Sequence, residues 1–153
     1  MKMRVLWVGK TKDAWLKSGS EEYARRIQRY IPFRIDEIKD DVQADQACGR
    51  ERESERLHKM LSPQAHVVVL DERGDEYTSQ QFAHFIGSLR DQGTSELVFV
   101  IGGAYGFSPH FYGRAQSRIA LSRMTFTHQM VRPVLLEQIY RAFTILNNEP
   151  YHH

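Results

Sequence analysis

The chain has 153 residues, of which 41% are hydrophobic and 26% are charged, and its formal net charge is +2. This composition is typical of a globular protein, so collagen-like, low-complexity and wholly disordered chains are excluded, and the length predicts a single domain over residues 1–153. The single cysteine, Cys48, excludes an internal disulfide and a cysteine-rich zinc site, so the reducing cytoplasm is the expected compartment.

In the first half of the chain, predicted strands alternate with predicted helices. The apolar run at 3–8 predicts a strand and is far too short for a signal peptide or a membrane span. The elements that follow are a helix at 13–31 ended by Pro32, an alternating strand at 33–38, a polar loop at 40–45 expected to be the most mobile segment, and a helix at 49–61 before Pro63.

The second half repeats this alternation around two buried strands. Its predicted elements are a strand at 66–70, a turn at 71–74, a helix from the capping box of Thr78 and Gln81 to about 92 before Gly93, a strand at 97–101, a helix at 109–116, a short strand at 118–121, an irregular segment at 122–130 and a helix from about Pro133 to about 146. This order predicts an α/β fold with a mostly parallel sheet and flanking helices. Ligands of such sheets bind beyond the carboxyl ends of the strands, here Leu70–Asp71 and 101–103.

A glycine-rich loop follows the predicted strand at 97–101. Gly102, Gly103 and Gly106 allow a backbone to approach a nucleotide-like cofactor closely, and an ordinary tight turn is the alternative. The loop matches neither a Walker motif nor the dinucleotide fingerprint.

The segment 122–132 mixes polar and apolar residues and contains two candidates for chemistry. His128 could act as a base near neutral pH, with a structural histidine bonded to backbone as the alternative, and Arg132 could hold a carboxylate or phosphate. No metal-binding motif and no serine-hydrolase elbow appears, so no metal is expected. In the last helix, Glu137 and Arg141 predict an ion pair, and apolar residues on more than one face imply full burial or a dimer interface.

Charge is unevenly distributed along the chain. Residues 1–31 contain eight basic and three acidic residues, and residues 101–153 contain five basic and two acidic residues. Between them, residues 36–55 contain three basic and eight acidic residues. Basic clusters are candidate phosphate-contacting surfaces, and solvated helix faces are the alternative.

Seven short motifs occur in one order along the chain. They are Val-Gly-Lys at 8–10, Glu-Tyr at 22–23, Val-Leu-Asp at 69–71, Phe-Val-Ile-Gly-Gly at 99–103 with Gly106, Leu-Ser-Arg-Met-Thr-Phe at 121–126 with His128, Leu-Glu-Gln-Ile-Tyr-Arg-Ala at 136–142 and Tyr-His at 151–152. In this combination the chain resembles, over essentially its whole length, the ribosomal RNA large subunit methyltransferase H family of the SPOUT superfamily.

The resemblance implies a fold, a reaction and an assembly. The C-terminal part of the sheet would thread into a trefoil knot, which periodicity cannot reveal. Members are homodimers that transfer a methyl group from S-adenosyl-L-methionine to N3 of pseudouridine 1915 in helix 69 of 23S rRNA, on assembled 70S ribosomes in the cytoplasm, without a metal or a membrane.

The resemblance also implies the site residues. The cofactor pocket would be formed by Leu70, Gly102, Leu121, Ser122, Arg123, Met124, Thr125 and Phe126. We expect the target base to be surrounded by His128, Arg132, Tyr140, Tyr151 and His152. Of these, His152 is the best candidate for the base, acting across the dimer, and Arg132 is expected to contact phosphate or base. The basic ends of two subunits would form a positive rim around the pocket, with 36–55 facing away.

Two other functions remain open at this point. A Rossmann-like oxidoreductase would need a dinucleotide fingerprint after the first strand, where residues 9–12 (Gly-Lys-Thr-Lys) lack the glycines. A ribosome-binding module without enzymatic activity would use the basic ends but would leave the glycine loop unexplained.

Overall fold

The strands and helices of the protein alternate from end to end in a computed structural model, which describes residues 1–41 and 45–153. The strands are β1 (Lys2–Val8), β2 (Phe33–Ile38), β3 (His66–Glu76), β4 (Glu96–Ile101) and β5 (Ser117–Ala120). The helices are α1 (Ala14–Ile27), α2 (Gln46–Lys59), α3 (Ser79–Asp91), α4 (Pro109–Tyr112) and α5 (Val131–Leu146).

The strands form one sheet in the order β2-β1-β4-β3-β5, and every neighbouring pair is parallel. The predicted α/β class is therefore confirmed. β1 and β4 lie inside the sheet, and β4 is buried along its whole length. This burial explains their nearly continuous apolar sequences, because strands covered on both faces of a parallel sheet have no polar side.

Two layers of helices cover the sheet. Alternate strand residues such as Val5, Val68 and Phe99 pack against α1, α3 and α5, whereas their neighbours Val67 and Val100 pack against α2 and α4. The apolar residues predicted on more than one face of α5 are thus largely buried within the chain, against α1, α3 and the sheet.

Several local predictions are confirmed in detail. Thr78 and Gln81 form the predicted capping box at the start of α3. Gly93 follows that helix with a φ of 81°, a conformation that glycine adopts without steric cost. Pro133 lies in the first turn of α5, where its missing N–H costs no helical hydrogen bond.

Three predictions about element ends are wrong. The helix predicted at 13–31 ends at Ile27, well before Pro32. Residues 71–74 are not a turn, because β3 continues to Glu76 and pairs with β5 again after a register shift between Leu70 and Asp75. The helix predicted at 109–116 ends at Tyr112, because the chain turns after Gly113 to enter β5. Of the loop predicted at 40–45, residues 42–44 lie outside the described residues.

Candidate active site

A cavity of about 540 Å³ lies at the carboxyl ends of β4 and β5, next to the middle of β3, where that strand stops pairing with β4. A volume of this size suits a small-molecule ligand. Its wall contains Leu70, Asp71, Glu72, Ile101, Gly102, Gly103, Ala104, Gly106, Phe107, Ile119, Ala120, Leu121, Ser122, Met124, Thr125, Phe126, Thr127, His128 and Val131. The cavity therefore lies where the topology of a parallel sheet places ligands.

The glycine loop forms one wall of this cavity as a tight turn. The Gly106 N–H donates to the Gly103 carbonyl at 3.1 Å, and Gly106 has a φ of 73°. A Cβ atom on Gly102 would lie 3.2 Å from the Phe107 ring. The two interpretations of this loop are compatible, because the turn itself brings its backbone to the cavity.

The segment after β5 supplies the opposite wall. All six residues of 121–126 are predicted to bind a cofactor, and five of them line the cavity. Arg123 does not, since its side chain is 91% exposed and pairs with Glu76 at 2.9 Å. The Thr125 hydroxyl donates to Glu72 at 3.2 Å. Together these two contacts attach the segment to the end of β3.

The charged groups of the cavity wall are acidic. Among the described residues that line it, Asp71 and Glu72 carry charge and no lysine or arginine is present. Burial alone would raise the pKa of Asp71, but hydrogen bonds from Arg73 and Tyr112 lower it to about 2. Arg73 pairs with Asp71 at 3.2 Å and offsets part of this charge, so the wall is weakly acidic and its lining has no basic side chain to hold a polyphosphate.

His128 is the cavity residue best suited to proton chemistry. Burial lowers the pKa of its imidazole, and the nearby positive charges of Arg132 and Lys12 lower it further. The ring is therefore neutral at pH 7, and a neutral imidazole can accept a proton.

The lowered pKa of His128 predicts a loss of stability in mild acid. The folded state binds fewer protons than the unfolded state below the usual histidine pKa of 6.5, so stability falls as the pH drops through that value. We expect His128→Gln to reduce this fall in urea unfolding compared between about pH 7.5 and about pH 5. Burial also lowers the pKa of His66, so this residue should account for part of the loss of stability that remains in His128→Gln. Replacement of the exposed His153 by Gln is the control and should leave the loss of stability unchanged. If His128→Gln also leaves it unchanged, His128 is not its source.

Arg132 is placed differently from the prediction that it contacts phosphate or base. Its side chain is completely buried. The guanidinium donates to the carbonyls of Val8 at 2.7 Å, Gly9 at 3.0 Å and His128 at 3.1 Å, and to the Thr11 hydroxyl at 2.9 Å. It also lies 4.7 Å from the centre of the Trp7 ring.

These contacts make Arg132 a clamp between the end of β1 and the start of α5. Burial lowers the pKa of Arg132 to about 10, so the group remains charged at pH 7. A buried guanidinium whose donors already bind carbonyls is not available to a substrate.

The other predicted catalytic residues form a separate cluster on α5 and the C-terminal tail. The rings of Tyr140 and Tyr151 meet edge to face at 4.7 Å, and the Tyr151 hydroxyl donates to Glu137 at 3.1 Å. Burial and hydrogen bonds with Tyr23 and Glu137 raise the pKa of Tyr151. The Nδ1 atom of His152 lies 3.1 Å from a guanidinium nitrogen of Arg141. We call these residues, with Glu137 and Arg141, the tail cluster.

Within one protomer, the cavity and the tail cluster are distinct. None of the described residues in that cluster lines the cavity, whereas His128 does. The predicted ion pair between Glu137 and Arg141 is present and belongs to the cluster.

Sequence reasoning missed several residues of the cavity wall. The sequence marks Asp71 only as a strand end, and it assigns no individual site role to Glu72, Phe107 or Thr127. The available signal was position, since each follows a buried strand or lies beside a predicted site residue.

Residues 1–41 and 45–153 hold neither a cluster of metal ligands nor a membrane-spanning helix. Those residues contain no group of three or more His, Cys, Asp or Glu side chains able to hold a metal ion. Within the same ranges, no helix has both the length and the apolar character needed to cross a bilayer.

Comparison with known proteins gives consistent matches over the whole chain. A family model described as "Predicted SPOUT methyltransferase" matches residues 1–152. Three curated relatives carry the name "Ribosomal RNA large subunit methyltransferase H". They come from Trichlorobacter lovleyi (63% identical), Geobacter sulfurreducens (58%) and Geotalea uraniireducens (58%), and each alignment covers 100% of both chains.

Proposed function

The chain belongs to the SPOUT methyltransferase family, and we propose that it uses S-adenosyl-L-methionine to methylate N3 of pseudouridine 1915 in helix 69 of 23S rRNA on assembled 70S ribosomes. The names of its relatives support a substrate in the RNA of the large ribosomal subunit. Action on ribosomes also supports the cytoplasm as its location.

The observation that carries the proposal is the acidic cavity at the ends of β4 and β5, beside the middle of β3. Leu70, Gly102 and the 121–126 segment, Arg123 excepted, would hold the cofactor there. S-adenosyl-L-methionine supplies an activated methyl group on a cationic sulfonium, and acidic walls favour such a cation. In-line transfer needs positioning above all, which a cavity between fixed strand ends can provide.

The same observation weakens the oxidoreductase alternative. A dinucleotide carries a pyrophosphate, which proteins hold with helix N-termini and basic side chains. The described cavity wall has two carboxylates and no lysine or arginine. Calorimetry should therefore detect S-adenosyl-L-methionine and fail to detect NAD.

Proton removal from N3 is the step that this chain's own residues would assist. The N3–H of pseudouridine is weakly acidic, so a base or a donor that stabilises the developing anion should accelerate the reaction. Neutral His128 is available at the cavity wall as a base.

We propose a homodimer in which the tail cluster of one subunit approaches the cavity of the other. Exposed apolar side chains near the cavity support such a contact: Met124 is 80% exposed, and Phe126 and Met130 are also exposed. Trp15 at the start of α1 is 64% exposed. A contact that covers these residues would remove apolar surface from water.

The positive rim and the knot remain predictions within this proposal. None of the described residues in 36–55 lines the cavity, so the acidic segment stays outside its wall. The basic ends of two subunits would meet around the cavity and form the positive rim. One domain over 1–153, with its C-terminal part knotted, is the expected unit.

His152 is better placed as a donor than as a base in this arrangement. A guanidinium can only donate, so Nδ1 of His152 is the acceptor for Arg141 and the ring proton is on Nε2. That N–H could stabilise negative charge on the target base.

We expect His152→Ala to lower the rate of methyl transfer about 100-fold without changing cofactor affinity or stability. His153→Ala is the matched control, because the adjacent histidine is exposed and should be dispensable. His152→Asn retains an N–H donor but no base, so substantial activity in this variant favours the donor role. Unchanged methylation in His152→Ala would exclude any catalytic role.

The decisive experiment is methylation of 70S ribosomes that lack this modification, with labelled S-adenosyl-L-methionine and mapping of the product. We expect one methyl group at N3 of pseudouridine 1915 on 70S particles and little on free large subunits. Cofactor binding without methylation would refute the proposed substrate. Ribosome binding without cofactor binding would favour the non-enzymatic module.

A further inference from the structure

Glu53 of α2 has a carboxyl group buried behind the cavity wall. The residue is 3% exposed. Its Oε2 accepts the Asp41 N–H at 3.0 Å, while Oε1 is buried and has no hydrogen-bond partner in the part of the chain that the structure describes. Burial raises the pKa of Glu53, and the negative charges of Asp40 and Asp41 add to this effect although Asp41 also donates its N–H. A buried carboxyl is costly, so its position calls for an explanation.

The unpaired oxygen lies directly against the glycine loop. A Cβ atom on Gly103 would stand 2.8 Å from Oε1 of Glu53 and 3.1 Å from a methyl group of Val8. Gly103 lines the cavity on its other side. The carboxyl and the cavity are therefore separated by one residue of backbone, which has no side chain to keep them apart.

The same helix contacts this loop at two further points. A Cβ atom on Gly49 would lie 2.8 Å from the Tyr105 ring, and the Ser108 N–H donates to the Ser54 hydroxyl at 2.9 Å. Gly49 and Glu53 lie on one face of α2, since residues four apart are neighbours around a helix, and Ser54 is buried beside Glu53. This face of α2 supports the loop from behind.

We propose that Glu53 is a positioning residue for the cofactor loop and acts on the cofactor only through Gly103. One oxygen holds the Asp41 N–H beyond the end of β2, and the other sets the depth at which Gly103 stands in the cavity wall. The inference rests on the proposed cofactor site. It assigns a function to α2, a helix rich in charged residues.

Calorimetry with S-adenosyl-L-methionine and its demethylated product tests this role. We expect Glu53→Ala to weaken binding of both about tenfold, because the loop loses its support and becomes less well placed. Glu53→Gln keeps the shape of the side chain and should stay within about threefold of the unmodified protein. Glu55→Ala, exposed on the same helix, is the matched control and should bind normally.

Two further measurements distinguish positioning from general destabilisation. Hydrogen exchange of the 102–106 amides, measured without cofactor, should accelerate in Glu53→Ala while exchange in α3 and α5 stays unchanged. In the methylation assay, KM for S-adenosyl-L-methionine should rise and KM for ribosomes should not. If Glu53→Ala does not fold, Glu53→Asp withdraws the carboxyl from Gly103 and should produce the same changes in smaller degree.

The outcomes separate this inference from the proposed function. Failure of the unmodified protein to bind S-adenosyl-L-methionine would refute the cofactor proposal. Binding by the unmodified protein, with Glu53→Ala and Glu53→Asp both within about twofold of it and normal exchange in the loop, would refute the role of Glu53 alone.

Discussion

Arg132→Met is expected to lower the free energy of unfolding by about 3–5 kcal/mol. Methionine can still cover Trp7, but it removes the donors that reach the carbonyls of Val8, Gly9 and His128. Those buried carbonyls would then lack a hydrogen-bond donor, which raises the free energy of the folded state. The loss should appear as a lower urea midpoint with an unchanged dependence of the unfolding free energy on urea concentration. All variants should be compared at one protein concentration, because association into the proposed dimer adds to the measured stability.

Arg29→Met is the matched control for this prediction. Arg29 is exposed at the end of α1, so its replacement should change stability by less than about 0.5 kcal/mol. Arg132→Lys should be intermediate, since a single ammonium cannot reach all the acceptors. An Arg132→Met protein of normal stability that binds ribosomes poorly would restore the role of phosphate contact that the burial of Arg132 argues against.

Gly74→Ala is expected to destabilise the protein by about 3 kcal/mol. A Cβ atom there would lie 2.7 Å from the carbonyl carbon of Arg118 and 2.7 Å from the nitrogen of Ile119. Both are backbone atoms of β5, which cannot turn aside as a flexible side chain could. Since β5 leads into Leu121 and Ser122, the strain should also weaken cofactor binding, measured by calorimetry beside thermal unfolding.

Gly19→Ala provides the opposite result for comparison. Gly19 lies inside α1, and a Cβ atom would make only an ordinary contact of 3.9 Å with Pro133. Alanine favours a helix over glycine by up to about 1 kcal/mol, so this variant should be as stable as the unmodified protein or more so. A Gly74→Ala protein as stable as Gly19→Ala would mean that β3 and β5 do not approach this closely.

Local sequence patterns were reliable where one element decides its own structure. The apolar run of β4, the capping box of Thr78 and Gln81 and the proline in the first turn of α5 act over a few residues. The predicted turn at 71–74 failed because strand pairing with β5, more than 40 residues later, outweighs local turn preference.

The burial of charged residues could not be predicted in this way. Arg4 and Arg132 are ordinary arginines in the sequence, yet Arg4 is buried against Glu96 at 2.8 Å and Arg132 against backbone carbonyls. The partners of Arg132 at Val8 and Gly9 are more than 120 residues away. Arg123, by contrast, was predicted at the cofactor and extends into solvent.

By itself, the sequence determined the α/β class, the strand ends at which a ligand could bind and, through its ordered motifs, the family. Those features depend on periodicity, glycine placement and local composition, which are present in the chain before it folds. Only the tertiary structure decided that Arg132 is a clamp, that the Glu53 carboxyl is buried against Gly103 and that the tail cluster lies apart from the cavity. Each of these depends on the distance between segments remote in sequence, and packing alone sets that distance.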